Sequence, residues 1–370
     1  MSILLQATRL ALPILFFGYG LFANLSMLTG PLPAVTLPDD GLLSGGLTQD
    51  LDRIYKKDLP HMGVSIGMIG AARYALLGEA RQGAVAGTDG WLFTAEELRA
   101  QPTDIQLAAI VRTVADVRAR LALHGADLIV IPLPAKIDIY RDHGPDPVFG
   151  VALQSLYSQF VAQLAALDIR VVDTRSALLN AAVPVFFATD THWTPHGAAI
   201  VAGAVAASGK ISTGDLVYDV TTAAPKALTG DLVSFVSTPE LAARIGLPVE
   251  NVAIHTQTAV VTDAGDDIFG AAAQDIVLVG TSYSANPDWG FADALMRTLG
   301  RDVVSVAQQG LGPLQPMQQY LASPDYRDAP PQVVIWEIPI RYLTDPALWP
   351  AGVLPDLSAR ALAPKEDPNG

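Results

Sequence analysis

Apolar runs that alternate with segments of helical periodicity are the feature that most constrains the fold of this 370-residue chain. DLIVIPLP (127–134), DIVLVG (275–280) and VVIWEI (333–338) are almost entirely apolar and rich in β-branched residues. Strands of this kind lie in parallel sheets whose two faces are both covered. Residues 103–124 carry apolar side chains at helical spacing. The sequence therefore predicts an α/β domain with a parallel sheet flanked by helices.

Further apolar runs extend this pattern. IRVVD (169–173) and DVVSVA (302–307) are predicted to be strands, and VPVFF (183–187) is another apolar, partly β-branched run. Residues 210–270 break the alternation, because they are rich in Thr, Gly and Asp. They include β-like pieces such as NVAIHTQTAVV (251–261). We expect them to form a β-rich insertion in the α/β domain.

Composition excludes several classes of function. The net charge is −14, with 23 Lys and Arg against 37 Asp and Glu. A nucleic-acid partner is not expected, because phosphate contacts require clustered basic side chains. The chain has no cysteine, which excludes disulfides, thiolate metal sites and a cysteine nucleophile. No nucleotide or coenzyme A motif is evident, so no cofactor is expected.

The N-terminal segment suggests a membrane anchor. Residues Leu10–Gly30 contain no charge over twenty-one positions, and Arg9 is the only charged side chain before Asp39. A spanning helix needs about 20 apolar residues. A cleaved signal peptide or a buried core helix are the alternatives. We expect an uncleaved signal-anchor helix, with Arg9 on the cytoplasmic side and the rest of the chain across the membrane.

The predicted domain order follows from these observations. It is an anchor helix at 1–30, a Pro- and Gly-rich linker at 31–50, a catalytic domain at 51–345 and a flexible tail at 346–370.

Candidate catalytic residues follow the apolar runs, where parallel sheets bind ligands at the carboxyl ends of their strands. Ser282 comes two residues after DIVLVG, just before a predicted helix. A serine nucleophile needs a base, and Asp190 and His192 follow VPVFF. Two positions apart in an extended segment, their side chains point to the same side. The alternative for each element is a surface turn.

A metal site is the other interpretation of this region. His192 and His196 are four residues apart, as in helical zinc motifs. Pro195 separates them, however, and no glutamate occupies the second position of the motif. We therefore expect no metal ion.

Four elements together resemble a known family. They are GTDGWLF (Gly87–Phe93), VIPLPAK (Val130–Lys136), TDTHW (Thr189–Trp193) and VGTSYS (Val279–Ser284). The chain resembles the alginate O-acetyltransferase family, whose domains are SGNH-hydrolase-like. The resemblance implies an SGNH-like parallel sheet, with Ser282 as nucleophile and His192 and Asp190 completing a triad. It also implies an inner-membrane anchor with the catalytic domain in the periplasm.

Other residues are expected at the cleft. Lys136, Tyr140 and Arg341 lie at predicted strand ends, where a cation could hold a sugar carboxylate. A structural salt bridge such as Glu337 with Arg341 is the alternative. Tyr283 beside the nucleophile is a further expected substrate contact. By resemblance, Gly310 in the Gly-rich segment contributes to the oxyanion or acceptor pocket, or forms a tight turn.

The expected function is acetyl transfer, through an acetyl-serine, to hydroxyls of an exported polysaccharide such as alginate. The expected partners are the exopolysaccharide acceptor, a membrane-bound O-acyltransferase as acetyl donor, and other polysaccharide export proteins. A carbohydrate acetylesterase with the same triad is the first alternative, since only the attacking nucleophile differs. A non-catalytic glycan-binding subunit of an export complex is the second.

Overall fold

The structure is a computed structural model that describes residues 2–29, 62–260 and 275–350, with the single positions 48 and 52. In chain order the helices are α1 (Ser2–Thr29), α2 (Met62–Leu77), α3 (Asp104–Ala122), α4 (Lys136–Ile139), α5 (Pro147–Ala166), α6 (Arg175–Leu179), α7 (Pro195–Ala207), α8 (Pro239–Ala242), α9 (Ser282–Ala285), α10 (Phe291–Leu299), α11 (Leu314–Ala322) and α12 (Pro324–Asp328). The strands are β1 (Ala84–Ala86), β2 (Leu92–Thr94), β3 (Asp127–Leu133), β4 (Arg170–Val171), β5 (Tyr218–Thr222), β6 (Lys226–Leu228), β7 (Glu250–Val252), β8 (His255–Ala259), β9 (Ile276–Val279), β10 (Val304–Ser305) and β11 (Val333–Pro339).

A five-stranded parallel sheet organises the domain. Its strand order is β10-β9-β11-β3-β4, and every neighbouring pair is parallel. The predicted α/β fold is confirmed, and so are the strands at DLIVIPLP, DIVLVG and VVIWEI. The edge strands β4 and β10 are only two residues long. The last strand, β11, lies between β3 and β9, so the carboxyl ends of these three strands meet at one edge.

Two apolar layers cover the sheet. Along β3, Leu128 and Val130 pack on one face with α3, α5 and α11. Ile129, Ile131 and Leu133 pack on the opposite face with α7 and α10. Successive side chains of a strand point to opposite faces, which explains why β3 reads as continuously apolar.

The apolar run VPVFF is not a strand of this sheet. Within it, Phe186 forms an isolated antiparallel bridge with Trp193. Pro184 has no N–H to donate to a ladder, whereas Val185, Phe186 and Phe187 are buried. The run therefore supplies core side chains, and residues 187–192 form a loop that the bridge closes.

The region predicted as a β-rich insertion contains two antiparallel pairs, β5 with β8 and β6 with β7. Its residues 261–270 lie outside the described part. A third apolar cluster joins this region to β1 and β2, through Ala84, Leu92, Leu232, Val236 and Leu247. The region is therefore packed against the domain.

The helix α1 covers most of the segment predicted as an anchor. Within the described residues, no helix combines the length and the apolar character needed to cross a membrane. The anchor stays a prediction. The linker at 31–50, apart from position 48, and the tail beyond residue 350 lie outside the described residues.

Two isoleucines of α3 test the assignment of its buried face. Ile110 is 4% exposed and Ile105 is 79% exposed. We expect Ile110→Ala to lower the free energy of unfolding by about 2–5 kcal/mol, because it leaves a cavity. Ile105→Ala should change it by less than about 0.5 kcal/mol. Urea denaturation measures both, and equal losses would contradict the assigned helix face.

Candidate active site

Ser282 lies at the carboxyl edge of the sheet, because β9 ends at Val279 and α9 begins at Ser282. The Thr281 hydroxyl oxygen caps α9 by accepting the Tyr283 backbone N–H at 3.4 Å. The serine therefore occupies a tight strand-to-helix turn, where backbone donors are not yet engaged in the helix.

The structure brings Ser282, His192 and Asp190 together. Ser282 Oγ lies 2.8 Å from His192 Nε2, and His192 Nδ1 lies 2.7 Å from Asp190 Oδ1. Because the Asp190 carboxylate can only accept a hydrogen bond, the single N–H proton of the neutral imidazole lies on Nδ1. Nε2 is then free to accept the proton of the Ser282 hydroxyl. This is the arrangement of an activated nucleophile, a base and an orienting acid.

The segment that carries Asp190 and His192 is not extended, so the argument from strand alternation was wrong. Residues 188–192 form successive bends. Asp190 Oδ1 also accepts the His192 backbone N–H at 2.9 Å, a contact across two residues that short acidic side chains make readily. The two side chains meet because of this local turn.

Trp193 couples the two catalytic segments. Its indole N–H donates to the Tyr283 carbonyl at 3.1 Å, and its ring meets the Tyr283 ring edge-to-face at 5.4 Å. Trp193 is fully buried. Trp193, which follows His192, is thus held by a hydrogen bond and a ring contact to Tyr283, which follows Ser282.

Lys136 holds residues 188–192, called here the catalytic loop because they carry the two candidate catalytic residues Asp190 and His192. Lys136 is 1% exposed, and its ammonium donates to the carbonyls of Leu92 at 2.6 Å, Ala188 at 2.9 Å and Asp190 at 2.9 Å. Burial lowers the pKa of Lys136 to about 8. The expectation that Lys136 binds a substrate anion is corrected, because all three of its donors end on the backbone.

Two acidic side chains hold the N–H groups of the same loop. Glu250 of β7 accepts the N–H groups of Ala188 at 2.6 Å and Thr189 at 2.8 Å. Asp231 accepts the Thr191 N–H at 2.8 Å. Both come from the region that the sequence marked as an insertion.

Glu337 holds the nucleophile turn. Fully buried in the second half of β11, it accepts the Thr281 N–H at 2.7 Å and the Ser284 hydroxyl at 3.0 Å. Burial raises the pKa of Glu337. A Cβ on Gly280 would lie 2.5 Å from Glu337 Oε2 and 2.8 Å from Ser284 Oγ, so a side chain there would displace both groups. The alternative of a Glu337–Arg341 salt bridge is replaced by these contacts.

Arg341 and Tyr283 form a buried polar link beneath the catalytic residues. Arg341 donates to Glu96 at 3.0 Å, to the Tyr283 hydroxyl at 2.5 Å and to the Tyr342 hydroxyl at 3.0 Å. The Tyr283 hydroxyl donates to the Thr191 carbonyl at 2.8 Å, and burial raises its pKa. Tyr283 is 2% exposed. The expected substrate contact of Tyr283 is corrected to a structural one.

Of the remaining residues expected to contact substrate, Tyr140 does not face the groove beside Ser282, whereas Gly310 and Arg341 line it. Tyr140 turns away, because its hydroxyl accepts the Val185 N–H at 2.8 Å and its ring lies 4.2 Å from that of Trp91. Gly310 and Arg341 do line a groove of about 560 Å³ that contains Ser282 and His192. Other side chains on its wall are Gln82, Thr94, Glu96, Arg99, Asp231, Leu232, Phe235 and Tyr342. A groove of this volume accommodates a small ligand.

A metal ion was the alternative for His192 with His196. In the described residues, the one group of three acidic or histidine side chains whose ligand atoms all lie within 4.8 Å of one another is Asp190, His192 and Asp231. His196 is exposed and is not in this group. The His192 and Asp190 atoms hydrogen-bond each other instead.

Sequence reasoning missed Asp231, Glu250 and Glu337 as supports of the site. Asp231 and Glu250 lie about 40 and 60 residues beyond the loop that they hold. The Gly-Asp pair at 230–231 is the one local signal that was present, since glycine before a turn permits close backbone approach.

The triad carboxylate predicts how stability depends on pH. Burial alone would raise the pKa of Asp190, but the hydrogen bond and charge of His192 hold it below its usual 3.8. The unfolded chain therefore binds the proton first on acidification, and the stabilisation is lost as pH falls below about 3.8. We expect the stability advantage over Asp190→Asn to be full above pH 5 and to shrink below about pH 3.8. Urea denaturation across this range measures it, and a pH-independent difference would contradict the ion pair.

Comparisons with known proteins identify the family of this chain. Residues 84–340 match the family described as "SGNH hydrolase-like domain, acetyltransferase AlgX". The chain is 34% identical to "Probable alginate O-acetylase AlgJ" of Azotobacter vinelandii, over 91% of this chain and 89% of the relative. It is 34% identical to the Pseudomonas aeruginosa protein of the same name, over 82% of both chains.

Solved structures show the same relationship. The O-acetyltransferase domain of Pseudomonas putida AlgJ is 32% identical and superposes with a TM-score of 0.62, covering 71% of this chain and 93% of that domain. Pseudomonas aeruginosa AlgX, at 23% identity and a TM-score of 0.57, covers 72% of this chain and 65% of its own, and shares the fold. The resemblance stated from the sequence is confirmed. The chain belongs to the family of SGNH hydrolase-like acetyltransferase domains that includes AlgX.

Proposed function

We propose that this protein is a periplasmic O-acetyltransferase that moves an acetyl group through an acetyl-serine intermediate onto hydroxyls of an exported polysaccharide. The observation that carries the proposal is the continuous contact from Asp190 through His192 to Ser282, at 2.7 and 2.8 Å. Membership of an acetyltransferase family supports acetyl as the acyl group. Relatives named alginate O-acetylase support an alginate-like acceptor.

In the first half-reaction, His192 Nε2 takes the Ser282 proton while Oγ attacks the acetyl carbonyl carbon of the donor. The carbonyl electron pair moves to oxygen, and the Ser282 N–H at the beginning of α9 is our candidate to stabilise that oxyanion. When the tetrahedral intermediate collapses, the donor oxygen leaves with the proton from Nε2. Asp190 keeps the imidazolium oriented throughout.

The second half-reaction repeats these steps with a sugar hydroxyl. Its proton passes to His192 Nε2, and its oxygen attacks the acetyl carbon of acetyl-Ser282. Collapse forms the sugar ester, and the proton on Nε2 returns to Ser282 Oγ. Every proton that the base takes is given back, so the cycle needs no cofactor.

The proposed setting accounts for the supply of acetyl groups. The candidate anchor at residues 1–30 is a single segment, which cannot by itself carry an acetyl group across a bilayer. We infer a membrane-bound O-acyltransferase as acetyl donor, and other polysaccharide export proteins as partners. The proposed location is the inner membrane, with residues 51–345 in the periplasm.

Removing the nucleophile tests the proposal. We expect Ser282→Ala to lower acetyl transfer by at least about 10³-fold, because no acetyl-enzyme forms. The assay mixes the purified full chain with 4-nitrophenyl acetate and an alginate oligosaccharide. Mass spectrometry then follows the acetylated sugar and the acetylated Ser282 peptide.

Ser305→Ala is the matched control, because Ser305 is exposed on β10 and does not line the groove. It should retain wild-type transfer. Fast acetate release, with sugars that never gain acetyl groups, would favour the acetylesterase alternative. A wild-type chain that neither transfers acetyl nor releases acetate would favour the non-catalytic glycan-binding subunit.

A further inference from the structure

A second carboxylate lies beside the catalytic histidine. Asp231 Oδ2 is 3.9 Å from His192 Nδ1, the nitrogen that also faces Asp190. Asp231 lines the groove, and its side chain is 47% exposed, whereas that of Asp190 is 6% exposed. The histidine thus has one buried carboxylate and one at the groove wall.

Asp231 is held in place by two independent sets of contacts. Its backbone N–H donates to Asp190 Oδ2 at 2.9 Å. Its Oδ1 accepts the Thr191 N–H at 2.8 Å and the Thr191 hydroxyl at 3.1 Å. Oδ1 is therefore occupied, and Oδ2 is the oxygen that faces the imidazole.

A close backbone approach positions this carboxylate. A Cβ on Gly230 would lie 2.1 Å from the Thr189 carbonyl oxygen and 2.7 Å from the Asp190 nitrogen. Only glycine allows the segment before Asp231 to pass so near the catalytic loop. The Leu232 N–H then donates to the Thr189 carbonyl at 3.3 Å. Asp231 is fixed relative to the triad by the fold.

The charges that face His192 come from each element packed against it. The catalytic loop supplies Asp190, and the turn after Gly230 supplies Asp231. The aromatic neighbours are Tyr283 and Trp289. Burial raises the pKa of the Tyr283 phenol and so keeps it neutral. The Trp289 ring stacks on the imidazole, with 5.7 Å between the ring centres.

Two cations lie behind this set. The Lys136 ammonium contacts the Asp190 carbonyl, and Arg341 contacts the Tyr283 hydroxyl. The positive charges of Lys136 and Arg341 both disfavour a protonated, positively charged imidazole. A second negative charge on the exposed side of His192 offsets that electrostatic repulsion.

We propose that Asp231 is a positioning residue that acts through His192, adding its negative charge to that of Asp190 when the imidazolium forms. This inference rests on the proposed function, because the imidazolium arises when Ser282 transfers its proton to Nε2. No bond to Asp231 forms or breaks. An opposite charge within about 4–6 Å favours the charged form of a titrating group.

The isosteric variant Asp231→Asn separates charge from geometry. Asparagine keeps an oxygen for both Thr191 donors and replaces Oδ2 with a neutral amide. We expect the acid limb of kcat/KM against pH to move to lower pH by about half a unit to one unit. The plateau should fall about 3- to 10-fold, because a weaker base is a poorer proton acceptor.

The measurement is hydrolysis of 4-nitrophenyl acetate by the purified full chain between pH 5 and pH 9. In Asp231→Ala, which also loses the acceptor for Thr191, the same shift should accompany a larger fall of the plateau. Asp219→Asn removes an exposed charge from β5, outside the groove, and should leave the profile unchanged.

Salt supplies a readout on the unmodified protein. Raising the ionic strength to about 1 M shortens the screening length to about 3 Å, which weakens a half-exposed charge more than a buried one. The acid limb of the wild type should then move to lower pH, while that of Asp231→Asn stays in place.

The two proposals fail in different ways. Coincident acid limbs for wild type and Asp231→Asn, at low and high salt, would overturn the role of Asp231 and leave the triad intact. If Ser282→Ala hydrolyses the ester at the wild-type rate, the proposed function itself is wrong.

Discussion

The site depends on how residues 188–192 satisfy their backbone polar groups. This loop is irregular and largely buried, so no helix or sheet ladder supplies its partners, and unpaired groups there are costly. The Lys136 ammonium donates hydrogen bonds to carbonyls of these five residues, and the Glu250 carboxylate accepts hydrogen bonds from their N–H groups. Because these side chains come from β7 and from the beginning of α4, the loop acquires its shape only when distant parts of the chain have assembled.

The nucleophile turn follows the same principle on the other side of the groove. Glu337 lies in the last half of the central strand β11 and binds Thr281 and Ser284, on both sides of the serine. Trp193 and Tyr283 then connect this turn to the catalytic loop. Buried ionic groups seldom improve stability over apolar ones, but they define a geometry sharply because their partners are directional. The structure uses them where Ser282 and His192 must meet within hydrogen-bonding distance.

The sequence was informative where one local pattern had one physical meaning. Continuous apolar runs predicted β3, β9 and β11, and strand-end placement predicted Ser282. It misled where a pattern had two meanings: Val185, Phe186 and Phe187 of VPVFF are apolar because their side chains enter the core, and the run is not a strand of the sheet. Lys136 was expected at the groove because it follows a strand, yet its ammonium turns inward to the loop carbonyls. Side-chain direction after a strand is not encoded locally.

The sequence by itself determined the sheet, the family resemblance and the three candidate catalytic residues, because hydrophobic pattern and short motifs are local properties. Only the tertiary structure decided which charged residues surround them. Glu250, Asp231 and Glu337 are isolated acidic residues in sequence, separated from their partners by about 40 to 60 positions. Their roles exist only as distances between elements, and those distances follow from the packing of the β-rich region and β11 around the catalytic loop.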